Sequence, residues 1–245
     1  MKLRSIVSVG VMALAAAAFA DGEYTDGKVC GWMRIDSTFP ITAVGVPWVD
    51  VANTNSNVRV KDLVLTDTLT EGDKLYVYNN GTWSFYQLNS GKAWVPGSTA
   101  TTYAAPIPTA DADTATIARG QALYLERSVT NQPFYVYGAE GSAVASTTLT
   151  GATKYLVASP KATAFTPSHS NISGATPKGR NSGDQIVVPL NGGSTRIYTL
   201  RGGKWGYATS GGRVEEGSES YQPVSLGTGF WYITGSSENA ITITW

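Results

Sequence analysis

One histidine, one cysteine and a few spaced carboxylates are the groups in this 245-residue chain whose types could do chemistry. The histidine, His169, sits in Ser168-His169-Ser170 inside a polar stretch. A hydrolytic triad needs a nucleophile, a base and an orienting acid held together, and a histidine flanked by serines in a loop reads as a solvated residue. A zinc site built on soft ligands needs three or four of them, more than one His and one Cys supply. A single cysteine, Cys30, forms no intramolecular disulfide. It lies ten positions beyond Ala20, so it does not fit a lipid anchor at a leader junction and reads as a buried strand residue.

Asp73 and Asp184 are the acids that recur in register, each after a glycine and before an apolar alternation. Glycoside hydrolysis sets two carboxyl groups roughly 5–10 Å apart, whereas acids repeated in separate units lie far from each other. An Asp in this position accepts hydrogen bonds from nearby backbone N–H groups, and the expected role is structural. Asp111-Ala112-Asp113 places two carboxylates on one loop, but calcium takes six to eight oxygens and the spacing of an EF-hand loop is absent. No catalytic residue, metal ligand or cofactor is assigned.

Aromatic residues carry the strongest remaining signal. Trp83, Trp94, Trp205 and Trp231, with Tyr76, Tyr78, Tyr124 and Tyr232, stand on or beside the alternating segments. Sugar rings lay their apolar faces on such side chains, while in a β-protein without disulfides the competing use is core filling. Tyr76 and Tyr78 oppose Leu75 and Val77, the expected inward face. They are therefore the expected exposed pair and the candidate carbohydrate-binding residues.

The elements that must position these groups repeat. Gly72-Asp73-Lys74-Leu75-Tyr76-Val77-Tyr78 returns as Gly183-Asp184-Gln185-Ile186-Val187-Val188-Pro189. Tyr86, Leu88, Gly91, Lys92 and Trp94 return as Tyr198, Leu200, Gly203, Lys204 and Trp205. Gly120 to Leu125 matches Gly227 to Tyr232, and the run ending at Pro47 echoes the run ending at Pro160. Such self-similarity reads as a duplicated β unit. Period-2 alternation predicts strands at 28–35, 41–49, 75–78, 83–88, 117–127, 134–137 and 240–245. Asn79-Asn80-Gly81 predicts a tight hairpin turn between two of them. A short helix is expected near Val60 to Leu69, in competition with a strand. Polar loops are expected at 96–113, 163–181 and 211–219.

Residues 1–20 carry Lys2 and Arg4, an apolar run from Ile6 to Phe19 and a terminal Ala18-Phe19-Ala20. That is the pattern of a secretory signal peptide cleaved after Ala20, and its apolar run is shorter than the roughly 20 residues of a membrane span. No second run of that kind follows, so no transmembrane segment is expected after its removal. The remaining chain has 16 Lys plus Arg against 18 Asp plus Glu, a net of −2. Near-neutral charge leaves no electrostatic footprint for nucleic acid. An unknown protein or polysaccharide at the cell surface is the partner class expected.

The segments Val29 to Ile35, Ile41 to Pro47, Gly72 to Tyr78 and Arg119 to Tyr124 together resemble a group of exported, internally repeated bacterial β-proteins. That group has a valine-valine-glycine-tyrosine opening strand, an alanine-asparagine-proline strand end and a glycine-aspartate strand start. Here Cys30 stands where valine is usual, and no apolar-then-basic sorting tail follows Trp245. The resemblance implies export to the periplasm, the cell surface or the medium, and supplies no catalytic residue. The fold expected is all-β, with two tandem, similar antiparallel β-sandwich or open-barrel units. Their expected limits are a leader and strand at 21–38, a first unit at 39–138, a linker at 139–151 and a second unit at 152–245. Separate domains and one pseudo-symmetric body both fit this pattern.

Overall fold

The computed structural model describes residues 9–11, 30–36, 40–45, 57–60, 68–79, 81–97, 116–139, 146–161, 163–179, 183–190, 193–235 and 240–245. The protein is all-β, with nineteen strands among these residues. Every pairing between them is antiparallel.

The first large sheet runs in the order β3 (Ile41–Gly45), β9 (Ala122–Glu126), β5 (Lys74–Asn79), β6 (Thr82–Leu88) and β7 (Trp94–Pro96). The second runs β12 (Lys154–Val157), β18 (Phe230–Ile233), β14 (Gln185–Pro189), β15 (Thr195–Arg201), β16 (Lys204–Thr209) and β17 (Gly212–Glu215). Three smaller pairings complete the set. β2 (Cys30–Asp36) lies between β1 (Val9–Val11) and β10 (Pro133–Ala139), β19 (Ile241–Thr244) lies between β11 (Ser146–Leu149) and β13 (Ile172–Ser173), and β4 (Asn57–Arg59) pairs with β8 (Thr116–Ala118).

The two large sheets share strand order through their first five strands, and register as well. Leu75 faces Tyr86 and Leu125, and Ile186 faces Tyr198 and Tyr232. Alternation explains what each sheet buries. Leu75, Val77, Tyr86, Leu88, Leu123 and Leu125 point into one core with Met33, Phe134 and Val136 from β2 and β10. Ile186, Val188, Tyr198, Leu200, Trp205 and Tyr232 point into a second core with Leu149, Ile172, Ile241 and Ile243 from the β11–β19–β13 sheet. The turn chemistry follows the glycines. The β5–β6 hairpin closes at Asn79 opposite Thr82 with Gly81 at φ 91°, and the β15–β16 hairpin turns through Gly202 and Gly203 at φ 57° and 78°.

The repeated acids are fully buried, and their main bonds reach far along the chain. Asp73 accepts from the Ser128 N–H and Oγ, both at 2.7 Å, and from the Thr70 N–H at 3.0 Å. Arg127, equally buried, donates to it at 3.4 Å and to the carbonyls of Gln132 and Thr68. Asp184 accepts from the Gly235 N–H at 2.6 Å and from the Tyr232 hydroxyl at 2.7 Å. Each acid thus ties the start of one central strand to the residue just beyond the neighbouring strand, an arrangement that specifies the β5–β9 and β14–β18 pairings.

Four expectations change here. The strand expected over 117–127 is two strands, β8 and β9, because Gly120 at φ 86° turns the chain between them. The loop expected at 211–219 contributes β17, whose Arg213 lies across the sheet and donates to the Thr199, Gly206 and Lys204 carbonyls. Gly206 makes room for it: a Cβ there would meet the guanidinium carbon at 2.9 Å. The segment expected as a linker contains β11, paired along its length with β19. The loop expected at 163–181 contains β13, paired with β19. The strand at the end of the leader docks on the rest of the chain as expected: β2 pairs with β10 and adds Met33 to the first core. The segment expected to be helical falls largely at 61–67, outside the described residues, although Val60 and Leu69 at its ends are buried.

Asp73→Ala leaves Arg127 buried without its carboxylate, a change worth about 3–5 kcal/mol. Asp184→Ala leaves only neutral donors unpaired, at about 1–3 kcal/mol. Thermal or denaturant unfolding of the two variants is expected to rank Asp73→Ala as the more destabilised; the reverse order would refute this account of the pair.

Candidate functional site

Strands β3 and β12 are the edges of the two large sheets, and each is closed by the other half of the chain. The Gly45 N–H donates to the Gly227 carbonyl at 2.8 Å, and the Ala158 N–H donates to the Gly120 carbonyl at 2.8 Å. Isolated bridges join Val44 to Thr228 and Gln121 to Val157. Since Gly45 at the end of β3 and Ala158 just after β12 occupy matching positions, and Gly120 and Gly227 occupy matching turns, the two contacts are related as by a two-fold axis. Small residues permit the approach. A Cβ on Gly45 would lie 2.6 Å from the Ala158 Cβ, and one on Gly229 would lie 2.6 Å from the Ala122 Cβ.

Side chains fill the two sides of this junction differently. On one side Trp231 reaches across to the β5–β6 hairpin, with ring centroids 5.0 Å from Tyr78 and 6.0 Å from Trp83. Tyr76 stacks on Phe85 at 5.3 Å and meets Trp83 edge-on. Leu156 and Ala158 of the β12 segment cover the group. This corrects the expectation that Tyr76 and Tyr78 form an exposed pair. Tyr76 is fully buried and Tyr78 half-buried, because the first sheet buries both faces: Leu75 and Val77 in its own core, the tyrosines in the junction. The Tyr76 hydroxyl donates to Glu126, which also takes the Lys74 ammonium at 3.0 Å.

On the other side the matching hairpin positions carry smaller residues. Tyr78 and Trp83 are a cross-strand pair on β5–β6, and their counterparts on β14–β15 are Pro189 and Thr195. Trp231 and Tyr124 are likewise counterparts: each faces its edge strand, at Leu156 and Ala43 respectively. Their side chains meet at the junction, where the Trp231 indole N–H donates to the Tyr124 hydroxyl at 2.7 Å. Beside Tyr124 a cleft of about 440 Å³ opens, walled by Ala43, Pro189, Thr195 and Leu226 and rimmed by Arg34, Asp36 and Arg196. Arg34 and Asp36 pair at 2.9 Å with both side chains largely exposed. Arg196 packs its guanidinium 4.9 Å over the Tyr207 ring and also bonds Gln222. Beyond Arg196 a shallower groove continues along Ile197, Tyr207 and Val214.

Burial raises the Tyr124 phenol above its ordinary value, against the opposing pull of the Trp231 N–H. It also raises that of Tyr232, with the Asp184 carboxylate adding to the effect. Both remain neutral hydroxyls at physiological pH. The cleft lining holds one carboxylate among the described residues, Asp36, where glycoside hydrolysis uses two. His169 is exposed, and its backbone N–H donates to Glu216 at 2.9 Å. No group of three or more His, Cys, Asp or Glu is gathered for a metal among the described residues, and Asp111 and Asp113 lie outside them.

No family model, no curated protein and no solved structure matches this chain.

Pro189, Thr195 and the Arg34–Asp36 pair are the residues that reading the sequence for motifs overlooks, and Tyr124 stands there only as one of the set of aromatics. Their signal is a difference between matched positions of the two sheets: where the β5–β6 hairpin has Tyr78 and Trp83, the β14–β15 hairpin has Pro189 and Thr195. Gly45→Val places branched carbons against Ala158 and is expected to lower the melting temperature. It should also speed hydrogen exchange at the Ala158 amide more than at amides of either core; protection at Ala158 equal to that of the parent would count against the junction as described.

Proposed function

We propose that this protein is an exported, non-catalytic interaction module made of two tandem copies of one β unit, with the cleft at their junction as its binding surface. On this reading the copies span Cys30–Ala139 and Ser146–Thr244, the first a large sheet with the β1–β2–β10 and β4–β8 sheets and the second a large sheet with the β11–β19–β13 sheet. The matching strand orders and the paired edge contacts support the duplication. The tripartite pattern of residues 1–20 and the resemblance to exported repeat proteins support export; cleavage after Ala20 removes β1, an outer strand of its sheet, and leaves the β2–β10 pairing in place. The observation that carries binding is the cleft itself, since an aromatic and aliphatic floor ringed by charged groups is the anatomy of a recognition surface. Fractionation of the source cells tests the address. The processed chain, shortened to begin after Ala20, is expected in the envelope or the medium; recovery of the full-length chain in the cytoplasm would overturn it.

A second reading, carbohydrate binding, is favoured by the same cleft, where Tyr124 offers a ring and Arg34, Asp36 and Arg196 offer planar polar groups for hydroxyls. It moves the sugar from the buried Tyr76 to Tyr124. A glycan array is expected to show binding that Tyr124→Ala removes, and an array silent for the parent protein would end this reading.

A further inference from the structure

We infer that the outer edge of β2 is a strand-acceptor site, which takes an extended apolar segment of a partner polypeptide in the place that the signal strand β1 holds. This rests on the export reading, because cleavage after Ala20 is what takes β1 away. The structure shows the form of the occupant. Val9–Val11 lies antiparallel on β2, with Val9 opposite Met33, Gly10 opposite Trp32 and Val11 opposite Gly31. A signal segment is removed on export. Its loss leaves β2 held by β10 alone, along the whole of Cys30–Asp36. The N–H and C=O groups of Gly31 to Met33 that point away from β10 then lose their ladder partners, and such a row is a template for another strand.

This edge is built to be read. Met33, Phe134 and Val136 are buried in the first core, so the backbone of β2 is fixed before a partner arrives and little ordering is left to lose. The devices that blunt an edge are missing from the span that β1 covers: its pairing with β10 runs without a bulge, and no proline or charged residue lies among Gly31, Trp32 and Met33. Other outer strands carry those devices. β7 ends in Pro96, and β17 is four residues long with Arg213 and Glu215. On β2 the charges stand beyond the span, at Arg34 and Asp36, which pair with each other at 2.9 Å. A matching partner is therefore apolar opposite Gly31 to Met33 and polar where it passes Arg34 and Asp36. In this mode of recognition main-chain hydrogen bonds supply affinity and alternate side chains supply specificity.

The test uses the processed chain, residues 21–245, and a synthetic peptide with the sequence Ile6–Leu14, extended by lysines for solubility. Binding is followed by amide hydrogen exchange and by thermal unfolding. Saturation below about 1 mM is expected, with exchange slowed within Gly31–Met33 and a melting temperature that rises with peptide concentration. The same peptide with Gly10→Pro and Val11→Pro is expected to bind at least about tenfold more weakly, since one of the two prolines falls on a bonding position whichever way the ladder is phased. The chain that retains residues 1–20, with β1 already on the edge, is expected to bind neither peptide; should it not be obtained folded, the two peptides on the processed chain decide. Absence of saturation, equal binding of the two peptides, or slowed exchange confined to strands other than β2 overturns the inference. So does protection of Gly31–Met33 in the processed chain before peptide is added, which assigns the edge to the chain's own N-terminal residues or, where the protection depends on protein concentration, to a second copy. Each of these failures leaves the export reading intact, whereas recovery of only the full-length chain from cells overturns both.

Discussion

The structure depends on two backbone hydrogen bonds, Gly45 to Gly227 and Ala158 to Gly120, that close the edges of the two large sheets on each other. An open edge strand offers unpaired N–H and C=O groups to any passing chain. Here β3 and β12 spend part of theirs on the turn that precedes the other half's β9 or β18. That geometry draws the backbones close and demands Gly45, Ala158, Ala122 and Gly229 at the points of contact. Everything larger is pushed to the two flanks of the seam, where side chains decide what happens.

On one flank the outcome is a shared core. Tyr76, Trp83 and Phe85 sit on the face of the first sheet that points away from its own core, and Leu156, Ala158 and Trp231 of the second half cover them. The halves therefore hold each other through apolar burial as well as through the edge contacts. On the other flank the same backbone geometry carries Pro189 and Thr195, and the seam stays open beside Tyr124. A near-symmetric backbone with asymmetric filling thus produces one structural contact and one cleft from a single repeated plan.

The buried acids illustrate the same divergence at a conserved scaffold position within the molecule. Both Asp73 and Asp184 bind the N–H just past the neighbouring strand, at Ser128 and Gly235. Their other partners differ. Asp73 meets the buried Arg127, while Asp184 meets the Tyr232 hydroxyl and adds to the rise that burial imposes on the phenol's pKa. Burial without enough partners is costly for a carboxylate, and the two sheets meet that requirement with different chemistry. The indoles of Trp94 and Trp205, matched in position and both buried in their cores, do not follow this rule, since each N–H is buried without a hydrogen-bond partner among the described residues.

Much of this was legible in the residues. Period-2 alternation at Leu75 and Val77 and at Ile186 and Val188 identified the inward faces, because a strand with one core face must alternate. The recurrence of Gly-Asp, Tyr-x-Leu and Trp placed the matching strands, because turn glycines and core aromatics are local requirements. The outer face of β5 was not legible in the same way. Whether Tyr76 meets water or another sheet depends on a strand more than seventy residues away, β12, and alternation says only that it points opposite to Leu75. The strand β17 escaped notice because its pairing rests on Arg213 lying over Gly206, a contact between separate strands. The sequence by itself determined the all-β class, the repeated strand plan and the turns, all set by neighbours within a few residues. Only the tertiary structure decided that the β3 and β12 edges close on the turns before β18 and β9, with Tyr78 and Trp83 on one flank and Pro189 and Thr195 on the other, since that follows from long-range contact geometry.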